Sequence, residues 1–314
     1  MHRIGIAAAL VAAVAASTCA AQADAGEAAR AALASVVSVL PQWPGRAPDA
    51  GEPEGSGVVI ADGHWIVTAA HVLGGATRVL VRNADGTVIA ATPGPVSDAV
   101  DLALLRIDTP MPPLEWAAEE PALAAPVCAL GNAFGLGQTI ACGVVSATRR
   151  SGVGFNAIED FVQTDAAVNP GMSGGALVDA DGRLAGVLSA IFTKQSDASI
   201  GVNFAVSARL ARLVTQQLIE TGAFKPASSG MTLKPAPARG ETGQAAAQVV
   251  AIVADGAAGL AGLRVGDRIL GAGDRRIRGP ADMRAALALG AAGGELALRV
   301  LRDGQEIELT LQPR

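Results

Sequence analysis

The sequence predicts a mainly β protein in two parts, a larger all-β part and a small α+β module. Three observations predict it. From residue 35 to 206 the chain is a series of short apolar runs at regular spacing, separated by turn residues, with no alternation of strand and helix patterns. One helical pattern then stands alone at 208–221, and beyond a short linker four strand candidates surround one alanine-rich helix. Finally, 314 residues suit about two domains. Aromatic residues make up 3% of the chain and tyrosine is absent, so the cores must be built from Val, Leu, Ile and Ala.

The first segment is expected to lie outside the fold. "MHRIGIAAALVAAVAASTCAAQADAGE" has a positive residue, an apolar run and a small-residue A-x-A site at Ala23–Ala25. This is the pattern of a secretory signal peptide over 1–25, cut after Ala25, with Ala23 the next choice. An uncleaved anchor is the rival, because residues 4–21 are nearly free of polar side chains. The expected location is periplasmic or otherwise exported. Cleavage removes Cys19 and leaves Cys128 and Cys142, without zinc-ligand spacing. No metal or organic cofactor is expected. The net charge of −5 gives no basic field for nucleic acid.

Strands follow in order. "SVVSVL" at 35–40 comes first, then a Pro- and Gly-rich loop at 41–53. The next runs are "GVVI", "HWIVTAAHVL", "TRVLVRN", "LALLRI", "PVCALG", "TIACGVVSA", "DFVQT", "GALVD", "RLAGVLSAIF" and "GVNFAV". The helix "ARLARLVTQQLIET" has Ser207 as a candidate cap, and Gly222 and Pro226 to end it. The first domain is therefore expected over 26–221, a linker over 222–228 and the small module over 229–314. In the module, "AQVVAIV", "DRILGAG", "ELALRVLRDG" and "EIELTLQ" read as strands, and 280–289 as a helix.

The chemistry rests on few residues. Of three histidines, His2 lies in the signal, and His64 follows an Asp-Gly turn and is expected to be solvated. His71 lies just past an apolar strand among small residues, which leaves room for a substrate beside the ring. Ser173 sits in "GMSGG". A serine hydroxyl is a weak nucleophile: it needs a base, the base needs an orienting carboxylate, and the oxyanion needs preorganised N–H donors. The N–H groups of Gly171 and Ser173 can converge on one such hole, because glycine lets the backbone turn sharply. Asp101, at the start of "LALLRI", suits the orienting role, whereas Asp108 reads as a turn residue. The order His71, Asp101, Ser173 is that of the chymotrypsin-type triad.

"GSGVVIADGHWIVTAAHVL", "DLALLRID", "ALGNAFGLGQTIACGVVSA", "QTDAAVNPGMSGGALVDADGRLAGV" and "GVNFAV" resemble, in order, the signature segments of the HtrA/Deg serine proteases. The resemblance implies a chymotrypsin-like double β-barrel followed by a small α+β PDZ domain, with His71, Asp101 and Ser173 on the triad and Gly171 and Ser173 on the oxyanion hole. Met172 and Ala176 depart from the family's usual Asn and Pro. "ADGAAGLAGLRVGDRILGAGDRRIRGPADMRAAL" resembles the PDZ part, whose carboxylate-binding loop is eroded here, with Ser229, Gly230 and Met231 as the nearest candidates.

The resemblance implies cleavage of unfolded or damaged envelope proteins, C-terminal peptides as PDZ ligands, and a homotrimer. A membrane-anchored regulatory protease and a non-catalytic chaperone or adaptor are the rivals. Met172 rules out the aspartate switch of the pancreatic relatives, so regulation is expected through loop ordering or the PDZ domain. Ala167 and Ile191 are expected to line a shallow apolar specificity pocket. Cys128 and Cys142 flank a segment that joins two strands in this family. A hairpin symmetric about residue 135 would pair them. A bulge in that glycine-rich loop would not, and two buried free thiols are the favoured expectation.

Overall fold

The computed structural model describes residues 26–43, 55–191, 199–236, 238, 245–290 and 294–314. The expected signal peptide and its cleavage sites lie outside them. By packing, the chain divides into two compact units. One runs through Gly94 and adds Leu102–Thr148 and Val162–Ala208; the other gathers Pro95–Asp101, Arg149–Phe161 and Arg209–Arg314.

The first barrel uses β1 (Val36–Gln42), β2 (Gly55–Ile60), β3 (Trp65–Ala69), β4 (Arg78–Arg82), β5 (Val88–Ser97) and β6 (Leu102–Arg106). They close in the order β1-β2-β3-β6-β5-β4. Closure leaves no unpaired edge. Val39, Val59, Ile66, Val81 and Leu105 fill the interior, each fully buried. A single helical turn, α1 (Ala70–Leu73), follows β3. β5 has no counterpart among the expected strands. Its sequence "VIAATPGPVS" holds two prolines and a glycine, and most of its residues are exposed or half-buried, so no apolar alternation marks it.

The second barrel uses β7 (Pro126–Gly131), β8 (Thr139–Arg150), β9 (Phe161–Thr164), β10 (Ala176–Val178), β11 (Leu184–Ile191) and β12 (Asn203–Ser207), closed as β10-β11-β12-β9-β8-β7. Its core includes Val127, Val162, Met172, Leu177 and Leu188. The β7–β8 register runs without a bulge from Pro126↔Val144 to Gly131↔Thr139 and sets Cys128 against Cys142. The two form a disulfide, which corrects the expectation of free thiols. The glycines of that loop lie beyond the paired region and leave the register intact.

Helix α2 (Ala208–Thr221) takes the predicted span. Gly222 ends it with φ +77° and an N–H bonded to the Leu218 carbonyl at 3.0 Å.

The second unit is built on a sheet in the order β13-β14-β15-β17-β18, from β13 (Met231–Ala236), β14 (Ala246–Ile252), β15 (Arg268–Ala272), β17 (Leu296–Arg302) and β18 (Gln305–Leu311), with β16 (Arg275–Arg276) paired to β15. A helical turn, α3 (Ala257–Leu260), and α4 (Pro280–Leu289) pack on it. Val249, Ile269, Met283, Leu298 and Val300 form its core. β13 was not expected as a strand; "MTLKPA" carries Lys and Pro, residues suited to the sheet edge that β13 occupies.

One carboxylate in this unit is fully buried. Asp160 accepts from Arg209 Nε at 2.9 Å and pairs with Arg275 Nη1 at 2.5 Å, and Arg275 is itself only 3% exposed. Burial alone would push the Asp160 carboxyl up. The Arg209 hydrogen bond and the two guanidinium charges outweigh that and hold it below the usual carboxylate range. Beside it, Glu159 accepts the backbone N–H groups of Val153, Gly154, Phe155 and Asn156 at 2.7–3.1 Å, which shapes the 153–159 loop around one side chain.

Candidate active site

His71 is placed by the turn of helix that carries it. Val72 and Leu73 point into the first barrel's core, and His71 is left exposed. The turn stops at Gly74, which is left-handed, and the Trp43 indole N–H donates to the Leu73 carbonyl at 3.0 Å. Trp43 thus braces the helical turn of the histidine, a role that sequence reading did not assign. Asp101 is half-buried and has φ +61°, uncommon outside glycine. It immediately precedes β6, whose Leu102 pairs with Ala69 of β3, two residues before His71.

Ser173 is half-buried in the turn before β10. Gly55 stands between this turn and α1: a Cβ there would lie 2.6 Å from Val72 Cγ1 and 3.0 Å from the Ser173 carbonyl oxygen. The backbone of the nucleophile candidate and the helical turn that carries the base candidate therefore both approach Gly55.

The turn from Asn169 to Gly175 is tightly specified. Met172 N–H donates to Asn169 O, Gly174 N–H to Leu188 O and Gly175 N–H to Met172 O, at 3.0, 2.6 and 2.9 Å. Among the described residues no backbone carbonyl takes the N–H of Gly171 or of Ser173. Gly171 has φ +90°, and a Cβ there would run into the Asn132 carbonyl, so no other residue fits. Met172 between them is 0% exposed and belongs to the second barrel's core. An apolar side chain thus fills the place where the pancreatic switch would need an aspartate.

Around the turn lies a polar network. The Phe134 N–H donates to Pro170 O at 2.7 Å. The Ser56 hydroxyl donates to Gly171 O at 2.7 Å, and the Asn132 N–H donates to Ser56 Oγ at 2.9 Å. Asn132 Nδ2 donates to Ser38 Oγ, and its Oδ1 accepts the Gly137 N–H. Ser56 and Asn132 were not singled out from sequence, because their partners lie tens of residues away and leave no local pattern.

Other expected residues fall elsewhere. Ala167 is exposed, two residues before Asn169. Ile191 ends β11 opposite Asn203, and its side chain lies outside the described part. His64 is not simply solvated: its ring Nδ1 is hydrogen-bonded to the Ile107 carbonyl at 2.9 Å, which places the proton on Nδ1. Asp108 is exposed in a bend. Ser229 is buried, with its carbonyl taken by the Ala258 N–H; Gly230 has φ +70°, with its carbonyl taken by the Val253 N–H. Met231 opens the edge strand β13. Its side chain, with Leu233, packs on the same core as Met283 and Leu287 of α4.

Residues 55–187 match the trypsin-like peptidase domain, and residues 198–312 match the PDZ domain. The chain is 34% identical over 267 residues to the periplasmic serine endoprotease DegP of Escherichia coli (strain K12), covering 82% of this chain and 56% of that protein. It is 34% identical over 268 residues to the periplasmic pH-dependent serine endoprotease DegQ of the same organism, covering 82% and 59%. The chain thus spans little more than half the length of these curated relatives. Among solved structures it resembles the HtrA-type protease AlgW with tripeptide, at TM-score 0.70 and 33% identity, covering 92% of this chain and 96% of that one. It also resembles the serine endoprotease from Yersinia pestis, at TM-score 0.61 and 30% identity, covering 92% and 97%. Two closed barrels, a PDZ sheet and these matches together make the chain a member of the HtrA/Deg family of serine proteases.

Proposed function

We propose that this chain is an exported serine endopeptidase that cuts unfolded or damaged envelope proteins, with Ser173 as nucleophile, His71 as general base and Asp101 as the carboxylate that orients it. His71 takes the Ser173 proton as Oγ attacks the scissile carbonyl carbon. The tetrahedral oxyanion forms between the N–H groups of Gly171 and Ser173. His71 then passes the proton to the leaving amine, and water hydrolyses the acyl-enzyme with His71 again as base. The observation that carries this reading is the Asn169–Gly175 turn. There the amides of Met172, Gly174 and Gly175 are bonded to backbone carbonyls, while those of Gly171 and Ser173 have no such carbonyl among the described residues.

An unfolded substrate suits such a cleft, since strand pairing needs a free backbone. β13 is the end strand of the PDZ sheet, and Met231, Leu233 and Leu287 of α4 are partly buried apolar residues on its core, which supports binding of C-terminal peptides with the Ser229–Met231 loop at the carboxylate. AlgW was solved with a tripeptide and with a decapeptide, which supports peptide binding in this chain also. A homotrimer is proposed on family membership alone, and light scattering on the purified protein tests it.

A fluorophosphonate probe tests the central claim. The expected result is one adduct, on Ser173, together with digestion of an unfolded model protein that Ser173→Ala cannot perform. Binding of the unfolded protein without adduct or digestion would support the chaperone or adaptor reading instead. N-terminal sequencing of the mature protein separates a cleaved signal from an anchor.

A further inference from the structure

We propose that Ser56 is a positioning residue for the oxyanion hole. It acts from the first barrel on the nucleophile turn of the second. The inference rests on the active-site reading above.

All four polar groups of Ser56 are engaged. Its N–H donates to Ser173 O at 2.8 Å, and its hydroxyl donates to Gly171 O at 2.7 Å. Its Oγ accepts the Asn132 N–H at 2.9 Å, and its carbonyl accepts the Thr68 hydroxyl at 2.7 Å. The residue is 0% exposed, so water cannot replace a lost partner. It grips the carbonyls of the two residues whose N–H groups would form the hole.

The geometry explains why this matters. A trans peptide points the C=O of one residue and the N–H of the next in opposite directions, so holding the one aims the other. In the nucleophile turn four successive carbonyls are held. Pro170 O is held by Phe134 N–H, Gly171 O by the Ser56 hydroxyl, Met172 O by Gly175 N–H, and Ser173 O by Ser56 N–H. Three of these donors are backbone N–H groups, which every residue but proline supplies. The Ser56 hydroxyl is the one side chain in the series. It acts at Gly171, where the lack of a Cβ leaves the backbone most free to rotate. The two hole donors belong to the Pro170–Gly171 and Met172–Ser173 peptides, and the Ser56 hydroxyl holds the Gly171–Met172 peptide that joins them. Without that hold, ψ at Gly171 is freed and the two donors lose their fixed mutual orientation. The same oxygen ties in Asn132, so the 132–134 segment and the turn share one anchor.

Ser38 supplies a control. Its Oγ accepts the Asn132 Nδ2–H at 2.7 Å and it is 3% exposed, and among the described residues no hydrogen bond joins its hydroxyl to a carbonyl of the turn. Ser38→Ala therefore removes a comparable buried hydrogen bond without loosening Gly171.

The experiment compares kcat and KM on a peptide substrate for wild type, Ser56→Ala and Ser38→Ala, with the thermal midpoint of each. A peptide boronate, whose tetrahedral adduct forms on Ser173, is the transition-state probe. Ser56→Ala should lower kcat roughly 10- to 100-fold, short of the loss of a whole donor, with KM within about threefold. Boronate affinity should fall with kcat. Ser38→Ala should lower the midpoint similarly and leave kcat within about threefold. If Ser56→Ala does not fold, Ser56→Cys, with a weaker donor and a longer bond, should lower kcat at unchanged KM. Wild-type kcat in the folded Ser56 variant, or an equal fall in Ser38→Ala, overturns the assignment. A wild-type protein with no fluorophosphonate adduct on Ser173 would overturn the active-site reading itself, and this inference with it.

Discussion

Cys128 and Cys142 face each other across the β7–β8 pair with Cα atoms 4.0 Å apart and are joined as a disulfide. The separation is that of a non-hydrogen-bonded antiparallel pair, where side chains stand closest. The bond closes the hairpin whose tip carries Asn132 and Phe134. In the chain-entropy model a loop of this size contributes about 3 kcal/mol. Cys128→Ala with Cys142→Ala, or reduction, should therefore lower the melting midpoint by roughly 6–12 °C. Calorimetry with and without reductant measures this; coincident melting curves would show that the bond adds nothing.

The triad predicts a graded series. Ser173→Ala and His71→Ala should each lower peptide hydrolysis by several orders of magnitude, up to ~10⁶-fold. Asp101→Asn should cost on the order of 10⁴-fold through the wrong imidazole tautomer. Asp108→Asn should leave turnover unchanged, as this residue lies exposed in a bend. Steady-state kinetics on one peptide decides the series, and activity retained in Ser173→Ala would refute it.

The Asp160–Arg275 pair predicts both a substitution effect and a pH effect. Arg275→Ala leaves a buried carboxylate with one guanidinium fewer and should destabilise by about 3–5 kcal/mol. The Asp160 carboxyl is held below its usual range in the fold. Its contribution is thus fully present above the unfolded value of about 3.9 and is lost as pH falls through the lower folded value. Calorimetric midpoints taken from pH 6 downward should fall less steeply in Asp160→Asn than in wild type. Parallel curves would remove Asp160 from the account.

For the PDZ domain, the edge strand β13 and the partly buried Leu287 of α4 predict ligands read by a free carboxylate and apolar side chains. No histidine occurs beyond His71, so α4 cannot use one to bind a ligand hydroxyl. Calorimetry should show a hydrophobic C-terminal peptide losing most of its affinity when amidated. Equal affinity of both forms would exclude the carboxylate contact.

Ala167 and Ile191 predict cleavage after small or medium aliphatic residues. A peptide library read by mass spectrometry should show Val or Ala before the cut. A preference for Lys or Arg would mean that another part of the chain lines the pocket.

Strands with fully apolar runs were legible in the sequence, because burial on both faces leaves a continuous signature: β1, β7 and β11 fall close to where the runs place them. β5 and β13 were not, since Pro, Gly and Lys on exposed strands look like loop. The order of His71, Asp101 and Ser173, with the family resemblance, carried the proposed site. The supports of that site were silent. Ser56 meets Gly171 across 115 positions and Asn132 across 76, distances at which no periodicity operates. The disulfide was half legible: symmetry about residue 135 gave the pairing, but only the observed register excluded a bulge.

Met172 lies at the heart of the second barrel while its neighbours on both sides, Gly171 and Ser173, are only half-buried. A thioether is vulnerable to peroxide, and its sulfoxide is polar enough to disrupt an apolar core. At a surface position this residue would couple oxidant exposure to catalytic failure. At 0% exposure it meets peroxide only when the barrel opens. Sulfoxide at Met172, measured against half-exposed Met231, becomes a clock for such openings, and disulfide reduction should make it run faster.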